Sequence, residues 1–179
     1  KKMKPFFSIL GIIIFLSGLS VIIIINNSFS NVFSLPKLES NNKIAVLTFT
    51  NNTGNDSLNI IGNMTENWIS HGITENNAGQ IISQNIVKDY TAVIKSQSLN
   101  LTDSEVLNIY LKPGKKITGS YFLDDGKLII NCSIENGITG ETLISLKSVE
   151  CNSDNALNCI EALKSKIVTY LVKEKKGDL

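Results

Sequence analysis

Residues 115–135 read KKITGSYFLDDGKLIINCSIE. Apolar and polar residues alternate on both sides of Asp124-Asp125-Gly126. A period of two is what a half-buried strand requires. Asp-Gly between two such runs marks a tight hairpin, because both residues tolerate positive φ. On the second strand Leu128, Ile130, Cys132 and Ile134 share one face, and Cys132 reads there as a small buried hydrophobe. A second turn at Asn136-Gly137 and Gly140 leads to a third strand over 142–149, so the segment predicts an antiparallel meander.

The flanking segments add helices. Upstream, KIAVLTF at 43–49 is a nearly continuous apolar run, as expected of a buried central strand. NNTGNDS at 51–57 reads as a loop in which Asp56 or Ser57 caps the next helix. Ile61, Met64 and Trp68, with Ile60 and Ile69 beside them, then form an apolar helical face that ends before Gly72. Residues 80–83 read as a short strand. Thr102 and Glu105 make a capping box for a helix that buries Val106, Leu107, Tyr110 and Leu111 and stops at Pro113-Gly114. Downstream, Asp154 caps a helix with Ile160, Leu163, Ile167 and Leu171 on one face. That helix runs to about Val172, before a lysine-rich end suited to its negative pole. The order β-α-β-α-β-β-β-α predicts an α/β (α+β) domain: a mixed sheet of about five strands with helices packed on it.

Ahead of this domain, residues 6–25 (FFSILGIIIFLSGLSVIIII) are an unbroken apolar run. About 20 such residues cross a bilayer core as a helix. Lys1, Lys2 and Lys4 precede the run and no cation follows until Lys37, which predicts a cytoplasmic N-terminus and an exported main domain. The run is longer than a secretory signal core, and the polar residues after it offer no small-residue cleavage pattern. The expected organisation is a basic flank at 1–5, one transmembrane helix at 6–25, a linker at 26–42, the main domain at 43–172 and a tail at 173–179. The localisation that follows is the inner (cytoplasmic) membrane, single-pass, with the domain periplasmic or extracellular. Lys1 precedes Met3, so the sequence is read either from Met3 or as a piece of a longer chain.

Net charge is +1 and every cation is lysine. No field of one sign steers nucleic acid to the chain, and the guanidinium fork favoured for phosphate is missing, so nucleic acid is not an expected partner. The abundance of Asn, Ile and Lys reads as an AT-rich bacterial genome. Cys151 and Cys159, separated by a short polar loop, are a candidate disulfide in an oxidising compartment. His71 is the one histidine; placed near a helix end it reads as a favourable cation there, with a pH-responsive role as the sharper alternative. Asn51, Asn52, Thr53, Asn55 and Asp56 form a candidate ligand or partner loop after a central strand, although they lack a phosphate-loop pattern. Asp124 and Asp125 belong to a turn, and Trp68 at helical spacing reads as core. No catalytic residues, metal ligands or cofactor are expected.

Taken in order, the motifs resemble the TolB amino-terminal-like domain family. Ile44-Ala45-Val46-Leu47-Thr48-Phe49 and the Asn/Gly/Asp loop after it are similar to the family's opening strand and loop. Ile117-Thr118-Gly119-Ser120-Tyr121, then Asp125-Gly126 with Lys127-Leu128-Ile129-Ile130, then Thr139-Gly140-Glu141, follow as its Gly-Ser strand, hairpin and T-G-E turn. Thr48 stands where proline is usual, Leu143-Ile144 replaces an aromatic, and the region between Gly72 and Thr102 matches poorly. The resemblance implies an anticodon-binding-like fold used for protein contacts or sensing, outside a membrane helix as in CadC-type regulators and signalling proteins with tetratricopeptide repeats. It implies no shared catalytic residues. The leading expectation is a non-enzymatic extracytoplasmic sensing or interaction domain. Its partner is a protein or small ligand outside the membrane, the apolar helix contacts lipid, and the signal passes through homodimerisation. The alternative is an envelope assembly or scaffold module resembling activators of cell-wall synthases or secretion and flagellar accessory proteins.

Overall fold

Strands β4 (Lys115–Asp124) and β5 (Lys127–Asn136) form the expected hairpin. Asp125 and Gly126 at its tip take φ of 46° and 74°, the left-handed pair that a two-residue turn needs. β6 (Thr142–Asn152) pairs antiparallel to β5 and is three residues longer than its sequence reading, since it runs on to meet a disulfide. This computed structural model describes residues 42–96 and 101–178. The apolar run at 6–25, its basic flank and the linker through residue 41 lie outside them. Among the described residues, no helix is long and apolar enough to cross a membrane.

The sheet has six strands, one more than expected. The apolar run from Lys43 divides into β1 (Lys43–Val46) and β2 (Thr50–Asn51), both parallel to β4. Leu47, Thr48 and Phe49 bulge between them. The bulge turns Phe49 into the core over Gly119, where an added Cβ would collide with the Phe49 ring. β3 (Gln80–Ile81) pairs parallel to the other side of β1, giving the order β3-β1-β4-β5-β6.

Helix α1 (Asn59–Glu75) follows a 3-10 turn at Asp56–Leu58, and α4 (Ala156–Lys176) follows one at Ser153–Asn155. Asparagines cap both turns instead of the expected Asp56, Ser57 or Asp154. The Asn55 side chain accepts from the Ser57 N–H and the Asn152 side chain from the Asp154 N–H. α1 also runs past Gly72. That glycine serves close packing and not termination, because a Cβ there would meet the Lys164 stem of α4 at 2.6 Å. Helix α2 (Gln84–Ser96) lies in a segment where the sequence reading has only a short strand. Helix α3 (Asp103–Val106) keeps its capping box: Thr102 N–H donates to Glu105 at 2.8 Å and Glu105 N–H to Thr102 Oγ1 at 3.3 Å. It continues as a π-helical turn (Leu107–Leu111) and ends at left-handed Lys112.

α1 and α4 cover one sheet face. Ile69, Ile73, Ile160, Leu163 and Ile167 pack there on Ile117, Tyr121, Leu128, Ile130 and Ile134. Cys132 lies in this core as expected, its thiol pushed up to about 12 by burial, so it stays protonated and inert. α2 and α3 cover the opposite face only around β1, where Ala45, Ile82, Val87, Leu107 and Leu111 cluster. The chain enters β1 beside the end of α4: Asn42, Lys43, Glu174 and Lys175 line one groove.

Candidate functional site

β1 is the topological switch of the sheet. The chain leaves it over one face through α1 to reach β3, then returns over the other face through α2 and α3 to β4. In open α/β sheets the crevice beyond the C-terminal end of such a strand is where ligands bind. Here three bonded side chains meet at that end of β1. Glu66 of α1 is 3% exposed and accepts from Thr48 Oγ1 at 2.6 Å and from Gln84 Nε2 at 2.5 Å. Gln84 Nε2 also lies 3.1 Å from Thr48 Oγ1, closing a three-way joint between the bulge, α1 and the first residue of α2. Burial raises the Glu66 pKa, opposed by the Thr48 hydrogen bond and the Lys88 charge.

The sequence reading missed Glu66. Its signal was helical spacing: Gly62, Glu66, Ile69 and Ile73 fall on one buried stripe of α1. Thr48, at the position where the family resemblance has proline, is the residue that supplies the hydroxyl.

The candidate loop lies beside this joint, and its polar groups bond to one another. Asn51 accepts from both Thr53 N–H (2.9 Å) and Thr53 Oγ1 (2.6 Å), and its amide donates to the Asn55 carbonyl and to Asn59 Oδ1, each at 2.8 Å. Asn52 N–H extends the β4 pairing by donating to the Tyr121 carbonyl at 2.8 Å, and Asp56 opens the 3-10 turn. These bonds hold the shape of the turn.

His71 is not at the end of its helix, which continues one turn to Glu75. It sits exposed with Nδ1 3.6 Å from Glu75, a pair that is ionic only when the imidazole is protonated. Trp68 is 38% exposed instead of core, since α1 meets α4 along the neighbouring Ile69 and Ile73. Its indole N–H donates to Glu161, whose pKa the Lys164 and Trp68 hydrogen bonds lower. Cys151 and Cys159 are joined in a disulfide, with Cα atoms 5.6 Å apart, tying the end of β6 to the first turn of α4. Asp124 and Asp125 form the hairpin tip, as read from the turn chemistry. Among the described residues, no group of three His, Cys, Asp or Glu side chains could hold a metal ion.

The described residues leave two surfaces uncovered. One is the face of β4, β5 and β6 opposite α1 and α4. Cross-strand polar pairs line it: Thr118 donates to Glu135 at 2.9 Å, Ser133 and Ser145 are 3.3 Å apart, and Ser148 donates to Asn131 at 2.6 Å. The other is the outer edge of β6, beyond which no strand lies among the described residues.

No family model matches this chain, and no curated protein does. Among solved structures it is similar to the lipoprotein GNA1162 from Neisseria meningitidis, at 12% identity and a TM-score of 0.45, over 77% of this chain and 99% of that one. It is similar to the LpoB C-terminal domain from Salmonella enterica, at 10% identity and a TM-score of 0.45, over 66% and 87%. It is also similar to the PelC dodecamer from Paraburkholderia phytofirmans, at 13% identity and a TM-score of 0.41, over 76% and 92%. These are likenesses of backbone course and assign no residue a role.

Proposed function

We propose that this chain is a non-enzymatic module that binds another protein outside the bacterial cytoplasm and serves in envelope assembly. One observation carries the reading. The Thr48–Glu66–Gln84 joint stands where a small ligand would sit, while a wide, largely polar sheet face is left uncovered by the described residues. Recognition by an open surface fits a protein partner better than a small-molecule signal. The Cys151–Cys159 disulfide fits an oxidising compartment. The apolar run at 6–25 supplies the anchor in this reading. Kinship with TolB amino-terminal-like domains is part of the same proposal and rests on the ordered motifs already described.

The test is photo-crosslinking in cells making the full chain, with the reactive residue at Ser133 or Ser145 on the open face, or at Lys88 on α2. One envelope protein recovered from the first two sites and not from the third supports the module. Saturable binding of a small solute that displaces Gln84 from Glu66, with no adduct from either sheet position, overturns it.

A further inference from the structure

α4 runs antiparallel to β6 beside its free edge: Cys159 meets Cys151 at one end, and farther along Lys166 reaches the middle of the strand. Lys166 Nζ donates to the carbonyls of Lys147 at 2.9 Å and Ser148 at 3.4 Å. Those two residues oppose Asn131 at a bulge where the pairing with β5 slips, so the lysine occupies two carbonyls of the edge strand at one of its two register shifts. The stretch Thr142–Leu146 on one side of this guard pairs with β5 alone among the described residues, and its register shifts once more where Leu143 is skipped.

A groove of about 400 Å³ lies along the flank of α4, lined by Ser165, Lys166, Thr169, Tyr170 and Lys173. Tyr170 is half-buried, and Lys166, which lines the same groove, bonds Lys147 and Ser148, so the groove lies beside β6 next to Thr142–Leu146. Its charged groups are Lys166 and Lys173, and Lys147 stands on the adjoining strand. The nearby acids on α4 are engaged elsewhere: Glu161 with Lys164 and Trp68, and Glu174 with Lys115 at 3.1 Å.

We propose that Thr142–Leu146 accepts an extended segment of another protein as an added strand. One apolar side chain of that segment lies against Tyr170, and its flanking carboxylates meet Lys166 and Lys173. The proposal rests on the reading of the chain as a protein-binding module. Strand addition supplies affinity through main-chain hydrogen bonds, and the groove and its lysines select the side chains. The charge of the rim is what names an acidic occupant.

The probe is a short synthetic peptide of alternating valine and threonine with glutamate at both ends. A lysine-ended twin serves as control. Each is titrated into the full chain in lipid nanodiscs while amide hydrogen exchange is followed. The acidic peptide is expected to slow exchange over Thr142–Leu146, and Lys173→Glu to weaken its binding about fivefold, as for a charge reversal at an interface rim. Lys166→Met frees the two guarded carbonyls and is expected to extend protection to Lys147 and Ser148. Equal binding of the two peptides, or binding without protection of these amides, overturns the proposal. Slow exchange before any peptide is added also overturns it. If dilution relieves that protection, a second copy holds the edge; if deletion of residues 26–42 relieves it, the chain's own linker does. Failure of the peptide while crosslinks from Ser133 persist removes this edge and leaves the protein-binding reading standing. Failure of both removes the reading itself.

Discussion

Around β1 the sheet is sealed on both faces, while across β4, β5 and β6 it is sealed on one. The difference follows from strand direction. β3, β1 and β4 are parallel, so helical crossovers must join them, and those crossovers lie on alternate faces. The meander needs only tight turns, so nothing in its connectivity brings a helix to its second face. The residue types agree. After Lys43, β1 reads Ile-Ala-Val without a polar position, whereas β5 alternates Leu128, Ile130, Cys132 and Ile134 with a mostly polar set, Lys127, Ile129, Asn131, Ser133 and Glu135. The parallel half is closed on both faces, and the antiparallel half has one face that the described residues leave uncovered.

Neighbouring residues on β5 break this comparison most sharply. Ile130 is fully buried, and Ile130→Ala is expected to cost about 3 to 4 kcal/mol in urea unfolding. Next in size is the staple between the halves of the β6–α4 unit. Its cysteines are separated by 8 residues, and Cys159→Ser is expected to lower stability by about 2.5 kcal/mol, with reductant producing the same loss in the parent protein and none in the variant.

Glu66 sharpens the comparison from the closed half. Glu66→Ala leaves the Thr48 hydroxyl and the Gln84 amide without their acceptor and is expected to cost about 2 kcal/mol. The folded-state pKa of Glu66 is raised, so in the window between the ordinary carboxylate value and the raised one the native state binds more protons than the unfolded state. Stability from this group therefore falls as pH rises through that window and is fully present below it. Glu66→Gln is expected to flatten that part of the pH–stability curve; an unchanged slope would assign it to another group. The smallest effect belongs to the open face: Asn131→Ala, beside Ile130 in sequence, is expected to stay within about 0.5 kcal/mol of the parent.

The meander was legible because period two, Asp-Gly and the Asn-Gly turn all point the same way. The last helix was legible through Ile160, Leu163, Ile167 and Leu171. α2 was not, although Ile86, Val87, Tyr90 and Ile94 lie at helical spacing. Its β-branched residues are weak helix formers, and the packing of Val87 with Ala45, Leu107 and Leu111 that holds it is invisible along the chain. The extra strand was hidden for a related reason, because the bulge at Leu47 to Phe49 depends on a glycine 70 positions later making room for one ring. At the candidate site, the loop asparagines were visible as a cluster. Their mutual bonding was not, since it depends on Asn59 in the next helix. Glu66 lies on the buried stripe, but a lone acid normally marks the wet side of a helix, so its spacing alone does not announce a buried joint.

The groove shared by Lys43 and Glu174 has one further consequence. Gly114 N–H donates to the Lys43 carbonyl at 2.9 Å, and Lys175 reaches back to the Asn77 carbonyl at 2.8 Å, so the first strand and the last helix are fastened at the same end of the fold. A domain whose incoming and outgoing segments emerge side by side behaves as a cassette. It can be spliced into a longer polypeptide, or removed from one, without pushing apart the stretches it interrupts.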